Sequence, residues 1–364
     1  MGFDLDVVDL SKWGIPYEGI FIVSGPCSAE SEEQVLETAL AISRHPVNLL
    51  RAGVWKPRTR PGSFEGVGTP GLKWLKEAGR VVGLPVGVEA ATPAHVEECL
   101  KHGIDVLWIG ARTTANPFAV QEIADALQGV DIPVFVKNPV SPDLGLWMGA
   151  IERIHGAGIT RLGAIHRGFC SFEERVYRNK PDWWIPIELK RKCPQLPMLC
   201  DPSHICGKVE LLQMVARKAI SLLFDGLMIE SHINPRAAWS DAEQQVTPDD
   251  LGRLLGSLTR KSVSTDDPEY LQRIAHLRKE IDAIDEQIME LLTQRMKVSS
   301  EVGRIKKRND ISILQPERWR KTLANRLESG KLSGLPEEFV SMIYQCIHEE
   351  SIRWQDLTKD PEER

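Results

Sequence analysis

The chain has 364 residues, seven cysteines and a formal net charge of −6 at pH 7, with no basic stripe, so we expect no nucleic acid partner. No segment approaches the roughly 18 apolar residues of a membrane span, and the N-terminus lacks a signal-peptide pattern, so we expect no membrane partner. An odd number of cysteines without a CxxC pair favours a reducing, cytoplasmic compartment, and the length suits a barrel of roughly 250 residues plus a domain of about 100.

Short β-rich runs alternate with helix-like stretches between residues 20 and 231. The helix-like stretches include residues 32–44 and 208–223. Eight such units predict a parallel α/β (β/α)8 TIM barrel. An open doubly wound sheet is the alternative, but no GxGxxG follows the first strand. The eight runs are IFIVSG, VNLLRAGVW, LPVGVEA, VLWIGAR, PVFVKNP, RLGAIHRG, PMLCDPSH and GLMIES.

Nearly every one of these runs ends in a reactive or charged side chain. In a parallel barrel all strand carboxyl ends lie on one face, so residues far apart in sequence converge there. One such residue means little, whereas nine in register predict a site. The nine are Cys27, Arg51, Lys56, Glu89, Arg112, Lys137, Arg167, His204 and Glu230.

Fixed cations at this face suit a substrate, or a pair of substrates, that carries several negative charges. Arginine offers planar bidentate forks, and lysine offers a mobile point charge. Each cation alone is as well explained by a helix cap or a surface acid. The set comprises Arg51, Lys56, Arg58, Arg112, Lys137 and Arg167.

A second group combines a thiol, an imidazole and two carboxyl groups. Cys27, His204 and Glu230 follow the first, seventh and eighth runs, and Asp241 lies in the loop after the eighth. This mixed donor set suits one divalent metal ion of the Mn, Fe, Co or Zn type. Taken alone, Cys27 is better explained as buried core.

The pattern changes after the polar stretch SLTRKSVSTDDP, which reads as a linker. Apolar residues then recur at alternating spacings of three and four from Ile274 to Ile305, which predicts one long amphipathic helix ending near KKRND. Two further helices are predicted over residues 317–328 and 336–357. The predicted organisation is a barrel over 1–256, a linker over 257–268 and an all-α three-helix domain over 269–364.

The apolar register of the long helix is interrupted by Arg295. A cation in an apolar seam is costly unless an anion or a hydrogen-bonding partner meets it. Lys306 lies eleven residues further on, about 16 Å along the axis, so both side chains can reach a small dianion between them. Arg278 is seventeen residues from Arg295, about 25 Å, so it joins that ligand only from a second chain.

The barrel motifs GPCSAES, LLRAGVWKPRTRPGSFEG, GARTTANP, VFVKNP, HRGF, DPSH and IES…SDAEQQ resemble those of the 3-deoxy-D-arabino-heptulosonate 7-phosphate (DAHP) synthases. The likeness is to the compact barrel type, which is related to the octulosonate 8-phosphate synthases. The KPRT tetrapeptide at residues 56–59 favours the DAHP enzymes over their relatives. The resemblance implies that phosphoenolpyruvate is condensed with erythrose 4-phosphate to DAHP and phosphate.

The same resemblance implies residue roles. The metal ligands it implies are Cys27, His204, Glu230 and Asp241, and Cys27 marks the metal-dependent branch. It also implies that Arg112, Lys137 and Arg167 bind phosphoenolpyruvate beside Lys56 and Arg51, that Arg58 and Thr59 bind the erythrose phosphate, and that Glu89 lies near the reacting water. Lys56 is our candidate proton donor, and Glu89 is our candidate water-orienting group.

The helical motifs LRKEIDAIDEQIMELLTQRMKVSSEVGRIK, ILQPERW and HEESIRWQ resemble those of the all-helical chorismate mutases. That resemblance implies rearrangement of chorismate to prephenate, no cofactor, and a homodimer in which an arginine enters the partner's site. Two positions depart from the family pattern, because Gln315 replaces a common aspartate and Trp319 replaces a glutamate of some members. The ligand-binding set it implies is Arg278, Arg295, Lys306, Arg318, Ser351 and Gln355.

Two alternative functions stay open. The barrel is alternatively an octulosonate-type synthase or an unrelated phosphate-binding barrel. The helical domain is alternatively a non-catalytic dimerisation or regulatory module, which binds chorismate or prephenate and reports to the barrel. Feedback regulation through the helical domain is also compatible with catalysis.

Overall fold

The computed structural model describes residues 5–56, 62–172, 176–259 and 264–357. The chain divides into two compact units, Met1–Ser262 and Val263–Arg364. No helix of the described residues is long and apolar enough to cross a bilayer. The domain and linker boundaries given by the sequence stay a prediction, since residues 260–263 fall outside the described ranges.

In the described part of the first unit, eight parallel strands close into a barrel in chain order, which confirms the predicted fold class. Closure comes from β1 and β8, which pair from Phe21 with Gly226 to Gly25 with Glu230. The strands are β1 (Phe21–Gly25), β2 (Leu49–Arg51), β3 (Val86–Ala90), β4 (Val106–Ile109), β5 (Val134–Lys137), β6 (Leu162–His166), β7 (Met198–Cys200) and β8 (Gly226–Glu230).

Helices cover the outside of this barrel. Several helices begin after a residue whose side chain caps the first turn. The Ser31 hydroxyl accepts a hydrogen bond from the Gln34 amide, and the Thr92 hydroxyl accepts one from the His95 amide. They are α1 (Glu32–Ile42), α2 (Thr69–Val82), α3 (Pro93–Lys101), α4 (Ala111–Thr114), α5 (Pro117–Ala126), α6 (Leu144–Gly156), α7 (Trp184–Lys192), α8 (Pro202–Cys206), α9 (Leu212–Ser221) and α10 (Pro248–Gly256). Short 3-10 turns span Leu10–Lys12, Val209–Leu211, Pro235–Ala237 and Ala242–Gln244.

Two apolar cores hold the barrel together. One lies between the strands and the surrounding helices. The other fills the barrel interior with Phe21, Trp108 and Phe135, joined by Leu10 and Trp13 of the N-terminal segment. The Trp13 and Phe135 rings lie 4.8 Å apart. Because the lower interior is packed with side chains, polar groups concentrate at the carboxyl ends of the strands.

Gly25 ends β1 where the backbone approaches β2 too closely for any side chain. Its φ is +144°, and a Cβ at this position would lie 2.1 Å from the Arg51 carbonyl oxygen. Only glycine satisfies both conditions. This close approach brings the loop that carries Cys27 directly above the end of β2.

The described part of the second unit consists of α11 (Pro268–Arg308), α12 (Pro316–Leu332) and α13 (Glu337–Asp356). The Asp267 carboxylate accepts from the amides of Glu269 and Tyr270 and caps the first of these. The single long helix predicted from the apolar repeat is confirmed. Helix α13 packs against both α11 and α12.

Candidate functional site

The strand ends of the barrel surround one polar cavity. The strands β2, β3, β5 and β6 each provide a side chain at or next to their last residue, and the segments after β2, β4, β6, β7 and β8 provide the rest. Three of the lining residues, Gly53, Trp55 and Arg178, were not among the predicted ones. The lining residues are Arg51, Gly53, Trp55, Lys56, Glu89, Arg112, Lys137, Arg167, Arg178, His204 and Asp241.

A buried ion pair links the ends of β2 and β8, the two strands that neighbour β1. Arg51 Nη1 donates to Glu230 Oε1 at 2.8 Å, and both side chains are almost fully buried. Arg51 Nη2 also donates to the Cys27 carbonyl oxygen at 3.0 Å. Burial opposes ionisation of Glu230, but His204, Arg51 and Lys56 outweigh it and lower the Glu230 pKa. Arg51 and Glu230 therefore stay ionised at the cavity floor because each is paired with an opposite charge.

A second buried pair lies across the floor. Lys137 Nζ donates to Asp201 Oδ2 at 2.8 Å, and His204 Nδ1 lies 2.8 Å from the same oxygen. Burial favours the neutral form of Asp201, but His204 and Lys137 outweigh it and hold the Asp201 pKa well below its usual value. Burial also lowers the pKa of His204, so this imidazole is neutral at pH 7 and oriented by a carboxylate.

The four predicted metal ligands come close to one another in pairs. Cys27 Sγ lies 3.3 Å from Asp241 Oδ2, and His204 Nε2 lies 3.9 Å from Glu230 Oε1. Burial and the nearby Glu230 raise the pKa of the Cys27 thiol to about 12. Within the described ranges, no group of three or more His, Cys, Asp or Glu side chains is arranged to hold a metal ion, so the metal ligand set stays a prediction.

Two cations lie among these four groups. Lys56 Nζ donates to Cys27 Sγ at 2.9 Å, and Arg178 Nη1 donates to Asp241 Oδ1 at 3.0 Å. Burial opposes ionisation of Asp241, but Arg178 and Lys56 outweigh it and lower the Asp241 pKa. The two cations thus neutralise negative charge at the place where the sequence predicts a metal ion.

The cavity wall carries further polar groups. Glu89 Oε2 accepts from Trp108 Nε1 at 3.0 Å, which fixes this carboxylate at the end of β3. Arg167 Nη1 donates to Asn179 Oδ1 at 2.6 Å, and burial lowers the Arg167 pKa to about 10. Arg112 lies in α4 and lines the cavity. The predicted erythrose phosphate binders, Arg58 and Thr59, lie outside the described residues.

The sequence did not single out two of the lining side chains, Trp55 and Arg178, or Asp201, which pairs with Lys137. Asp201 is the first residue of the DPSH motif, and its position directly after β7 is the signal that identifies it. Trp55 directly precedes Lys56, and its ring stacks on His95 at 3.9 Å. Arg178 lies in a connection without regular structure, so its direction depends on the loop rather than on a strand end.

The helical unit brings four predicted residues together. Arg295 donates to the Ser351 hydroxyl, and Lys306 Nζ donates to Gln355 Oε1 at 3.1 Å. Burial lowers the pKa of both cations. Helices α11 and α13 approach closely here because Gly303 has no side chain. A Cβ at this position would lie 2.7 Å from the Gln355 backbone. The result is a site with two cations and two neutral hydrogen-bonding side chains.

Two further predicted residues, Arg278 and Arg318, are exposed in the single chain. Arg278 is exposed in the first half of α11, and seventeen residues of continuous helix separate it from Arg295, about 25 Å. Arg318 is exposed in the first turn of α12. Their predicted roles as ligand binders therefore stay predictions.

Both parts of the chain match known families. Residues 18–265 match the DAHP synthetase I family, and residues 277–356 match chorismate mutase type II. A phospho-2-dehydro-3-deoxyheptonate aldolase of Thermotoga maritima is 33% identical over 240 residues, which cover 66% of this chain and 69% of that protein. A 2-dehydro-3-deoxyphosphooctonate aldolase of Vesicomyosocius okutanii is 25% identical over 271 residues, which cover 69% of this chain and 94% of that protein.

A solved structure agrees with these matches. The crystal structure of the Thermotoga maritima phospho-2-dehydro-3-deoxyheptonate aldolase, or DAHP synthase, has a TM-score of 0.62 and 32% identity, and covers 70% of this chain and 72% of that chain. The barrel and its charged rim thus define an enzyme of the DAHP synthase type. The chain belongs to the DAHP synthetase I family and carries a chorismate mutase type II domain after the barrel, so it is a bifunctional enzyme.

The Lys137–Asp201 pair predicts a large effect on stability. Asp201→Asn removes one partner of a fully buried pair, so the free energy of barrel unfolding should fall by about 3–5 kcal/mol in urea denaturation at pH 7. Because the folded pKa of Asp201 is depressed, its stabilisation is present above about pH 4 and is lost as the pH falls through the folded pKa. The difference between the two proteins should therefore shrink in acid.

Asp131→Asn is the matched control. Asp131 is 94% exposed in its pair with Arg161, so this change should cost less than about 1 kcal/mol. Equal losses for the two variants would contradict the argument from burial.

Proposed function

We propose that the barrel condenses phosphoenolpyruvate with erythrose 4-phosphate to DAHP and phosphate. The observation that carries this proposal is the convergence of Lys56, Arg112, Lys137 and Arg167 on one cavity beside a thiol, an imidazole and acids. Two phosphorylated substrates need several fixed cations in one place. The KPRT segment favours erythrose 4-phosphate over arabinose 5-phosphate, and competition between the two aldehydes tests that choice.

The reaction needs one new carbon–carbon bond and one addition of water. C3 of phosphoenolpyruvate attacks the aldehyde carbon of erythrose 4-phosphate. Lys56 donates a proton to the oxygen of that carbonyl group as it becomes a hydroxyl group. Water, oriented by Glu89, then adds at C2, and the C2–O bond to phosphate breaks; of the two protons that the water loses, one returns to Lys56 and the other leaves with the phosphate. Arg112, Lys137 and Arg167 hold the phosphate and carboxylate of phosphoenolpyruvate throughout.

We further propose that Cys27, His204, Glu230 and Asp241 hold one divalent metal ion of the Mn, Fe, Co or Zn type. A thiol, an imidazole and two carboxyl groups are a donor set that these ions accept. The contact of His204 Nδ1 with Asp201 supports this, because metal-binding histidines commonly direct their second nitrogen to a carboxylate. When bound, such an ion supplies Lewis-acid polarisation of the aldehyde oxygen.

Lys56→Met tests the barrel mechanism. Loss of the proton donor should lower phosphoenolpyruvate consumption by roughly 100- to 10,000-fold, while the metal content per chain stays that of the wild type. Chelation of the wild-type protein should also abolish the reaction, and added divalent ion should restore it. Lys73→Met, at an exposed position of α2, should retain normal turnover.

Survival of turnover in Lys56→Met would show that Lys56 is not the proton donor. Full activity after chelation would remove the metal from the mechanism. Failure to consume phosphoenolpyruvate with any aldehyde would instead favour an unrelated phosphate-binding barrel.

We propose that the helical unit rearranges chorismate to prephenate. This reaction is intramolecular and needs no nucleophile, so the site has to hold a compact conformer and stabilise charge on the ether oxygen. The support is that Arg295 and Lys306 lie with Ser351 and Gln355 in one site, and that no acid among the described residues is hydrogen-bonded to either cation. Arg318 is proposed to join them on the ligand.

Lys306→Ala tests this assignment. The variant should still bind prephenate but should lose roughly 100- to 1000-fold in the rate of chorismate disappearance, because a donor to the developing charge is gone. Lys307→Ala changes the next residue, which is exposed, and should keep the wild-type rate. A near-normal rate in Lys306→Ala would refute the assignment.

We propose a homodimer formed through the helical unit. Within residues 264–357 the buried large apolar side chains are Met296 and Val340, too few for a stable small domain. An apolar face of α11 with Ile281, Ile284 and Leu291 is 54–64% exposed. A second copy on this face buries it, and it also supplies Arg278 to the partner's site.

We also propose that the helical unit regulates the barrel through a pathway product. Prephenate should slow DAHP formation by the full-length protein, and removal of residues 265–364 should abolish both this response and the dimer seen by sedimentation. An unchanged response after the truncation, or none in the full-length protein, would contradict the regulatory proposal. A monomeric full-length protein would contradict the dimer.

A further inference from the structure

The helical site contains one polar side chain, His348, that lies in the HEESIRWQ motif but was given no role there. His348, Ser351 and Gln355 are spaced three and four residues apart on α13, so they share one face of the helix. Ser351 and Gln355 contact Arg295 and Lys306 on that face. His348 therefore faces the same space, and the two cations act on it electrostatically.

His348 has a buried nitrogen atom that lacks a partner. Nε2 is shielded from solvent, and no group among the described residues forms a hydrogen bond with it. A buried polar atom left unsatisfied is destabilising, so native structures rarely keep one without a use. Burial, Arg295 and Lys306 together lower the His348 pKa, so the ring is neutral and retains both hydrogen-bonding nitrogens.

The orientation of this ring is fixed by a third helix. The Trp319 indole stacks on the His348 imidazole with 3.9 Å between ring centroids and 6° between planes. Trp319 lies in the first turn of α12, next to Arg318. An apolar ring would pack on the indole equally well, so packing alone does not account for an imidazole beside two cations. Fixed orientation and an unpartnered nitrogen are what a ligand-binding group requires.

We propose that His348 Nε2 forms a hydrogen bond with an oxygen atom of the bound substrate, and that Trp319 holds the imidazole in place for it. This inference rests on the proposed chorismate mutase activity. His348 is then a substrate-contacting residue, and Trp319 is a positioning residue. The two together provide the polar contact on the α12 side of the site, where the side chain at position 319 is itself apolar.

His348→Phe and His348→Gln separate hydrogen bonding from packing in the full-length protein. Phenylalanine keeps a flat ring on Trp319 but removes Nε2, so kcat/KM for chorismate and the affinity for prephenate should each fall about 10- to 100-fold. Glutamine places an amide near the position of Nε2, so His348→Gln should retain most of the kcat/KM for chorismate and most of the affinity for prephenate. Trp319→Leu should cause a smaller loss, because the nitrogen remains but its orientation is free.

The helical unit should stay folded and the synthase rate of the barrel should be the same in all these variants. Wild-type kcat/KM and prephenate affinity in His348→Phe would overturn the inference. So would a loss that His348→Gln fails to restore, since that outcome indicates packing. If the wild-type protein does not convert chorismate, the proposed activity fails, and the prephenate affinities of the two variants still decide the role of His348.

Discussion

Charge that is removed from water has to be paired, and the barrel rim is organised around that requirement. Arg51 meets Glu230 and Lys137 meets Asp201 beneath the cavity, each pair nearly or fully buried. Each pair links the ends of two strands that flank a third, β2 and β8 beside β1 and β5 and β7 beside β6, so the pairs form only when these strands assemble. Removing a single member leaves an uncompensated charge in a place where water cannot solvate it.

The two sites of the chain differ in their charge balance. The barrel cavity balances its cations with acids, and Lys56 and Arg178 contact Cys27 and Asp241. Such a balance suits a site that receives both anions and a cation. In the helical unit the two hydrogen-bonded cations meet neutral side chains. This site therefore has a local excess of positive charge, which suits a compact dianion and a rearrangement without proton transfer.

Much of the candidate site was predictable because the carboxyl ends of all strands in a parallel barrel lie on one face. Glu89, Lys137 and Arg167 were identified from their places after apolar runs, and all three line the cavity. Arg178 was not, since it lies in an irregular connection whose course no periodic pattern describes. His348 was missed for a related reason, because its importance depends on a stack with a residue from another helix.

The repeating apolar pattern along the chain was enough to predict the order of elements, the closed eight-strand barrel and one long helix over residues 274–305, all of which the structure contains. Tertiary structure alone decided which charges pair, since Arg51 and Glu230 are 179 residues apart. Periodicity is a local property, whereas the partner of a charged side chain depends on packing between distant segments.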